Sequence, residues 1–319
     1  MNPAFSVIVF TTLSGIGQGI VMALAVATLA SVVLPGPLLF TGLTVALVLL
    51  LAALGASFLH LGRPERARRA VLMWRTSWLS REVIVLPAFI VVVALWLWLQ
   101  TGEQADQQSG ALRHVVLPVA AIILCLVLWY CTAMIYACIR FIQEWAHPLT
   151  IANYTLIGLS SGLVLFTAIT WLTGAQELVR PSAAYALGLT VVAAAVRMVS
   201  IARNGRLKLK SNLQSATGIR NPHVVQKSMG MTGGSFNTRE FMHGRTLAFV
   251  SRIRYFAIGA GFVGPALLLL PALLAPAHQG NGIWLVAAAL LQYAGLLAER
   301  WFFFAQARHP QNLYYQIVS

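Results

Sequence analysis

The sequence predicts an all-α, polytopic membrane protein with eight transmembrane helices and no soluble domain. Hydrophobic residues make up 59% of the 319 positions and charged residues only 9%, with a mean hydropathy of +0.77. Soluble domains usually carry about 25% charged residues. A bilayer core needs about 20 apolar residues in helical form. Eight stretches of the chain meet that requirement, at approximately residues 5–32, 38–60, 82–99, 114–139, 150–173, 182–201, 248–274 and 283–304.

The basic residues are distributed very unevenly between the two ends of these eight stretches. Twenty of the 22 Lys and Arg residues fall on the side that holds both termini, if Arg197 and Arg300 are counted with their flanking loops. Only Arg113 and Arg180 fall on the other side. By the positive-inside rule, both termini and the loop 202–247 are predicted to be cytoplasmic. The same residues could instead serve to bind an acidic partner.

The first stretch is read as a retained helix, because it lacks a charged leader region and an A-x-A cleavage motif. The loop 202–247 lacks apolar periodicity and contains several Gly and Asn-Pro turn signals, so an irregular loop is expected there. A net charge of +14 alone would suit nucleic-acid binding. Here the charge lies in loops between apolar segments and not in a domain with its own core, so no nucleic-acid partner is predicted.

The histidines and cysteines give no pattern for haem or another metal group. Haem b in a bilayer is usually held by two His residues on facing helices. Of the seven His residues only His60 lies at the end of a predicted helix facing a core, so the chain is expected to be haem-free. Cys125, Cys131 and Cys138 share one apolar segment without a CxxC spacing, which favours packing over metal binding.

Ionisable residues are absent from the middle of most predicted helices. No Asp, Glu, Lys or Arg occurs in 83–99, 115–139, 150–173 or 255–298, which gives no support to an ion path across the midplane. The candidate polar groups all fall at the predicted cytoplasmic helix ends. They are His60, Arg63, Arg81, Glu82, Arg140, Glu144, Glu299 and Arg300.

Quinone chemistry suits His60 and Glu82. Two-electron reduction of a quinone takes up two protons, so a site needs an acid or base at each ring oxygen beside an apolar slot for the tail. A His with a reference pKa of about 6.5 and a carboxyl group at the mouth of the bundle can fill these roles. The alternative is structural: His60 would cap one helix and Glu82 would begin the next. These residues alone leave both readings open.

Two motif pairs resemble a known family. Phe58-Leu-His60-Leu-Gly-Arg63-Pro64 and Thr76-Ser-Trp-Leu-Ser-Arg81-Glu82 are similar to the membrane anchor family of the anaerobic dimethyl sulfoxide reductases. Cys131-Thr-Ala-Met-Ile-Tyr136-Ala and the tail from Glu299-Arg300-Trp301 to Tyr315 more closely resemble the anchor of cytoplasmic, membrane-bound sulfite dehydrogenases within that family.

The resemblance implies a complex of three subunits at the bacterial inner membrane. A large catalytic partner would hold molybdenum bis(pyranopterin guanine dinucleotide), and a ferredoxin-like iron–sulfur partner would hold four [4Fe-4S] clusters. This chain would lie in the membrane lipid, bind quinone, either ubiquinone or menaquinone, and hold both partners at the membrane. His60 and Glu82 match the family's quinol-site histidine and functional glutamate, and would be catalytic.

Charge and spacing suggest that Arg63 and Arg81 hold Glu82 ionised and orient the loop, which gives a quinone site of His60, Arg63, Arg81 and Glu82, with no metal. Because quinone and the terminal cluster must lie close together, both partners are expected on the cytoplasmic face. The docking surface would include 66–75, 202–247 and the C-terminal tail. The expected reaction passes electrons from sulfite to quinone. A reductase anchor that oxidises quinol, a purely structural anchor and a secondary transporter are the alternatives.

Overall fold

A computed structural model of the chain describes residues 1–59, 64–101, 110–208, 210–221, 223, 243–274 and 282–310. Within these ranges, eight helices are long and apolar enough to cross a membrane, which confirms the predicted number. They are α1 (Phe5–Leu29), α2 (Gly36–Phe58), α3 (Trp78–Thr101), α4 (Leu112–Ala137), α5 (Pro148–Leu172), α6 (Gln176–Gly205), α7 (Leu247–Leu274) and α8 (Gly282–Ala305). Two of them contain a π-helical turn, α4 at Leu112–Val116 and α7 at Gly259–Val263.

Most helix ends lie within a few residues of the predicted ones, but α6 is longer at both ends. Its predicted span, about 182–201, starts directly after Pro181, a residue type that usually interrupts a helix. The helix instead continues across Pro181, and at its other end runs on to Gly205. Arg197 therefore lies eight residues before the end of α6, roughly 12 Å into the helix at 1.5 Å per residue. Arg197 fell inside the predicted span 182–201 but was counted with the basic residues that flank it, and the longer helix shows that this count was wrong.

The helix α1 lies at the centre of the bundle. It contacts α2, α4, α5 and α8, while α3 packs against α2 and α4, and α6 packs against α5 and α7. Both described ends of the chain come together: the amino group of Met1 donates hydrogen bonds to the carbonyl groups of Phe304 and Ala307. We call this side, where α1, α3, α5 and α7 begin and α2, α4, α6 and α8 end, the basic end of the bundle.

Glycines allow α1 and α5 to approach at backbone contact. A Cβ atom added to Gly162 would collide with Gly19, and one added to Gly19 would lie 2.8 Å from the Cα of Gly162. Both helices carry glycines four residues apart, Gly15 with Gly19 and Gly158 with Gly162. Such pairs are typical of close helix packing in membranes. This α1–α5 seam holds the centre of the bundle together.

The connections at the basic end are only partly described. A 3₁₀ helix, Pro64–Met73, precedes α3. Within the predicted loop 202–247, the last turn of α6 is followed by one short helix, Leu213–Thr217. The Asn212 side chain caps this helix, which ends at Gly218 with a φ of +73°.

Candidate functional site

Glu82 is a buried carboxyl group in the second turn of α3. The Ser77 hydroxyl accepts a hydrogen bond from the backbone N–H of Ser80, which caps the start of this helix. One turn further on, Glu82 faces inward and is only 4% exposed. The hydroxyl group of Thr132, on α4, donates a hydrogen bond to Oε1 of Glu82. The carboxyl group is therefore held between α3 and α4, near the basic end.

Arg81 points away from its neighbour Glu82. Its Nε and Nη2 atoms donate hydrogen bonds of 2.9 Å to the carbonyl groups of Trp74 and Arg75, and its guanidinium lies 4.0 Å from the ring centroid of Trp78. Arg81 thus fixes the turn that leads into α3. Among the described hydrogen bonds and ion pairs, the side-chain partner of Glu82 is a hydroxyl group and not this guanidinium.

His60 and Arg63 lie outside the described residues, as do the side chains of 64–68. The structure does describe where the chain leaves α2: Leu59 follows the last residue of the helix, Phe58, and caps it. His60 is the next residue of the sequence. Its predicted role beside Glu82 remains a prediction.

A charged cluster inside the bundle lies close to the basic end. Nε of Arg197, on α6, is 2.7 Å from Oε1 of Glu299, and Nε of Arg300 is 2.9 Å from Oε2 of the same carboxylate, both on α8. All three side chains are at least 96% buried. From the sequence, Glu299 and Arg300 were expected at the cytoplasmic end of the span 283–304, with Arg300 counted among the basic residues of that side. Both residues do lie in the last two turns of α8, but because α8 packs on α5 and α1 their side chains are buried.

Aromatic rings connect this cluster to the helix that carries Thr132. The guanidinium of Arg300 lies 4.1 Å from the ring centroid of Tyr154, on α5. The Tyr154 ring stacks on the ring of Tyr136, on α4, with centroids 5.7 Å apart. Tyr136 also makes edge contacts with Phe303 and Phe304. The motif from Cys131 to Ala137, noted in the sequence, therefore faces both Glu82 and the charged cluster.

A small polar cavity lies between Thr132 and Arg300. Its volume is about 20 Å³. Its lining also includes the polar side chains of Gln18, Trp129 and Tyr154, and the hydroxyl groups of Thr11, Thr12, Ser14 and Ser161. Sequence reasoning missed these residues because Gln18, Trp129 and Tyr154 carry no charge and lie within predominantly apolar helices. A polar residue at helical spacing from glycines, as in Gly15 and Gln18 or Tyr154 and Gly158, was the available signal.

The described part of the chain after α8 packs back onto the bundle. Nε1 of Trp145 donates a 3.1 Å hydrogen bond to the carbonyl of Phe303, and Nε of Arg308 lies 3.5 Å from Oε1 of Glu144. The imidazole of His309 contacts the ring of Phe141. Residues up to 310 therefore lie against the basic end, while 311–319 are outside the described residues.

Within the described ranges, no group of three or more His, Cys, Asp or Glu side chains comes together as a metal site requires. The groups that the structure does assemble are a buried acid with a hydroxyl partner, a charged cluster and a polar cavity between them. These can hold and exchange protons at one end of the bundle.

Comparison with known proteins agrees with this architecture. The family model described as DMSO reductase anchor subunit (DmsC) matches residues 1–305. A sulfite dehydrogenase subunit of Allochromatium vinosum is 47% identical to the chain over the full length of both. The chain therefore belongs to the DMSO reductase anchor subunit (DmsC) family, whose members are membrane anchors of oxidoreductase complexes.

Proposed function

We propose that the chain is the quinone-reactive anchor of a sulfite dehydrogenase, in which Glu82 and His60 exchange protons with the quinone. The observation that carries this proposal is the placement of Glu82: a carboxyl group buried one turn inside the basic end, bonded to a hydroxyl and not to a guanidinium. Such a group can change its protonation state without breaking an ion pair. The full-length similarity to the Allochromatium vinosum sulfite dehydrogenase subunit supports sulfite as the electron donor.

The partners follow from the same proposal. An iron–sulfur subunit would dock on the basic end and carry electrons from a molybdenum subunit, which would oxidise sulfite to sulfate with oxygen taken from water. The exposed basic side chains at this end, among them Arg220 and Arg245, suit an acidic partner surface. The basic end would face the cytoplasm, since 18 of the 22 Lys and Arg residues still fall on that side by sequence when the buried Arg197 and Arg300 are left out.

Four residues of the chain would have separate roles at the quinone site. His60 would bond one ring oxygen and exchange its proton, and Glu82 would relay protons between the second ring oxygen and water at the basic end. Arg63 would add positive charge at the ring. Arg81 would keep the turn from Trp74 to Trp78 in position, as its hydrogen bonds indicate.

The test is a comparison of two activities in the purified complex of all three subunits. His60→Ala and Glu82→Gln should each lower sulfite-dependent reduction of a soluble quinone by about 10²-fold or more, because a general acid or base typically contributes about 10²- to 10⁴-fold. Sulfite oxidation with an artificial dye should stay at the wild-type rate, because dye reduction does not require the anchor's site.

The matched control is His114→Ala, which removes an exposed histidine at the opposite end of the bundle, where α4 begins. This variant should retain both activities. Wild-type quinone reduction by both the His60 and the Glu82 variants, in a complex that still contains all subunits, would contradict the proposed role of these residues.

A further inference from the structure

The polar cavity has the hydrogen-bonding groups of a water site. Four buried atoms on its lining residues have no hydrogen-bond partner among the described residues: Nε1 of Trp129, Nη1 of Arg300, Oε1 of Gln18 and the hydroxyl oxygen of Tyr154. The first two are donors, the third is an acceptor, and the Tyr154 hydroxyl can be either. The Thr132 hydroxyl, which donates to Glu82, can accept one more hydrogen bond. One water molecule forms up to four hydrogen bonds, two as donor and two as acceptor, and these groups offer enough partners for all four.

The size of the cavity agrees with that chemistry. A single water requires about 10 to 15 Å³ of accessible volume and usually two to four polar partners. The cavity offers about 20 Å³, which is too small for a quinone ring. Gly158 gives the Trp129 ring room in the wall of the cavity, because a Cβ atom at this position would lie 2.6 Å from Nε1 of Trp129.

The charged cluster beside the cavity has a net positive charge. Arg197 and Arg300 contribute two positive charges and Glu299 one negative charge, all of them buried. One positive charge is left over in the interior, where an unpaired charge is costly. An ionised Glu82, on the other side of Thr132 and the cavity, supplies the missing negative charge.

We propose that the cavity binds one ordered water that bridges Arg300 to Thr132, and that through this bridge Arg300 stabilises the ionised form of Glu82. Arg300 is then a positioning residue for proton exchange at the quinone site. The proposal rests on the proposed function only for its role in turnover, since the coupling between Arg300 and Glu82 exists without quinone.

Other ionisable groups also face Glu82 and belong to the same electrostatic environment. The helix α1 contributes the uncharged Gln18, and residues 36–59, which include α2, contain no ionisable side chain. His60 and Arg63 lie outside the described residues. Electrostatic interactions link Glu82 to Cys131 and Tyr136 on α4 and to Tyr154 on α5. Arg81 on α3 and Glu299 and Arg300 on α8 interact in turn with these three groups.

The experiment follows the protonation of Glu82 directly in the purified complex without added quinone. Infrared difference spectra over a pH series detect the carbonyl band of the protonated carboxyl group, which is assigned by its loss in Glu82→Gln. In Arg300→Gln the band should persist to higher pH, with a midpoint shifted upward by about one unit, because a positive charge that favours the carboxylate is gone. Arg300→Lys should restore most of the wild-type midpoint.

Trp129→Phe tests the water bridge with the charge retained. It removes one donor to the water and should shift the midpoint in the same direction by a smaller amount. Trp96→Phe is the matched control, because Trp96 is equally buried, its Nε1 also has no partner among the described residues, and it does not line the cavity. This control should leave the midpoint unchanged.

Failure of this proposal can be told apart from failure of the proposed function. An unchanged midpoint in Arg300→Gln, or in Trp129→Phe if the first variant does not assemble, would overturn the bridge even if Glu82→Gln abolishes quinone reduction. An equal shift in Trp96→Phe would also overturn it. A shifted midpoint would support the bridge even if quinone reduction proved independent of Glu82.

Discussion

Glu299 balances charge in the interior of the bundle, because its two carboxylate oxygens each face a different guanidinium group. Removing it would leave Arg197 and Arg300 buried side by side without the carboxylate that contacts them both. Removing Arg197 would instead leave one carboxylate and one guanidinium, which is a neutral pair. The two variants are therefore not equivalent, although they break the same ion pair.

Glu299→Gln is expected to destabilise the protein by about 3 to 5 kcal/mol, the range for breaking a buried ion pair from one side. Arg197→Met should cost less, because it fills similar space and leaves the net charge of the cluster at zero. Thermal unfolding of the purified complex in detergent measures both. A larger loss of stability in Arg197→Met than in Glu299→Gln would contradict this explanation of the charge balance.

His147 caps the start of α5 in a way that depends on pH. Its Nδ1 accepts a hydrogen bond from the backbone N–H of Leu149, which only the neutral ring can do. Burial and the nearby charge of Arg203 lower the pKa of His147 below its usual 6.5. Between the lowered pKa and 6.5, His147 is protonated in the unfolded chain but mostly neutral in the folded chain. The free energy of unfolding therefore rises with pH over that interval, and the stability that the cap contributes is lost as the pH falls.

His147→Asn should keep the cap and remove this part of the pH dependence, because Asn is a good N-cap without a titrating group. His147→Ala should lower stability by about 1 kcal/mol above pH 7. Unfolding midpoints measured from pH 5 to pH 8 test both expectations. Identical pH profiles for wild type and His147→Asn would mean that the cap does not titrate.

At the scale of helices, the α1–α5 seam depends on the absence of side chains at two positions. Gly162→Ala is expected to force the two backbones apart, since the new Cβ would overlap Gly19. Overpacking of this kind costs about 1 to 3 kcal/mol. Gly188→Ala is the matched control, because nothing lies within 4 Å of its Cβ position on α6. Lower yield and lower thermal stability should appear only in the Gly162 variant.

The number of helices and most of their ends could be predicted from the sequence, because a bilayer requires long apolar segments and the chain separates them with polar ones. The interior position of Arg197 and Arg300 could not be predicted in the same way. A charged side chain near a helix end can either extend into water or turn inward, and its direction depends on which helix packs beside it. The hydrogen bond between Glu82 and Thr132 could not be predicted for the same reason, since residues 50 positions apart meet only through the packing of α3 on α4.

At the scale of the whole molecule, the orientation of the bundle can be tested with a native residue. Cys138 is exposed just beyond α4 at the basic end, whereas Cys125 and Cys131 are buried. With the chain expressed alone, a membrane-impermeant maleimide should label Cys138 in inverted vesicles and not in intact spheroplasts. Cys138→Ser should abolish the labelling.

A cysteine introduced at Ser31, which follows α1 at the opposite end, should show the reverse pattern in the Cys138→Ser background. Labelling of Cys138 from outside the cell would place the basic end outside, and the proposed partners with it.

The α1–α5 seam separates two very different spaces. The polar cavity lies on its basic side, lined by Gly15, Gln18 and Gly158, while an apolar groove of about 420 Å³, lined by Gly19, Leu159 and Leu163, opens on the other. Direct contact between two glycine backbones leaves no room for a file of waters from one to the other. If Glu82 exchanges protons at the basic end and none passes through this seam, we expect those protons to enter and leave the protein on that side. Proton transfer by this subunit would then move no charge across the bilayer, and the membrane voltage would neither drive nor oppose it.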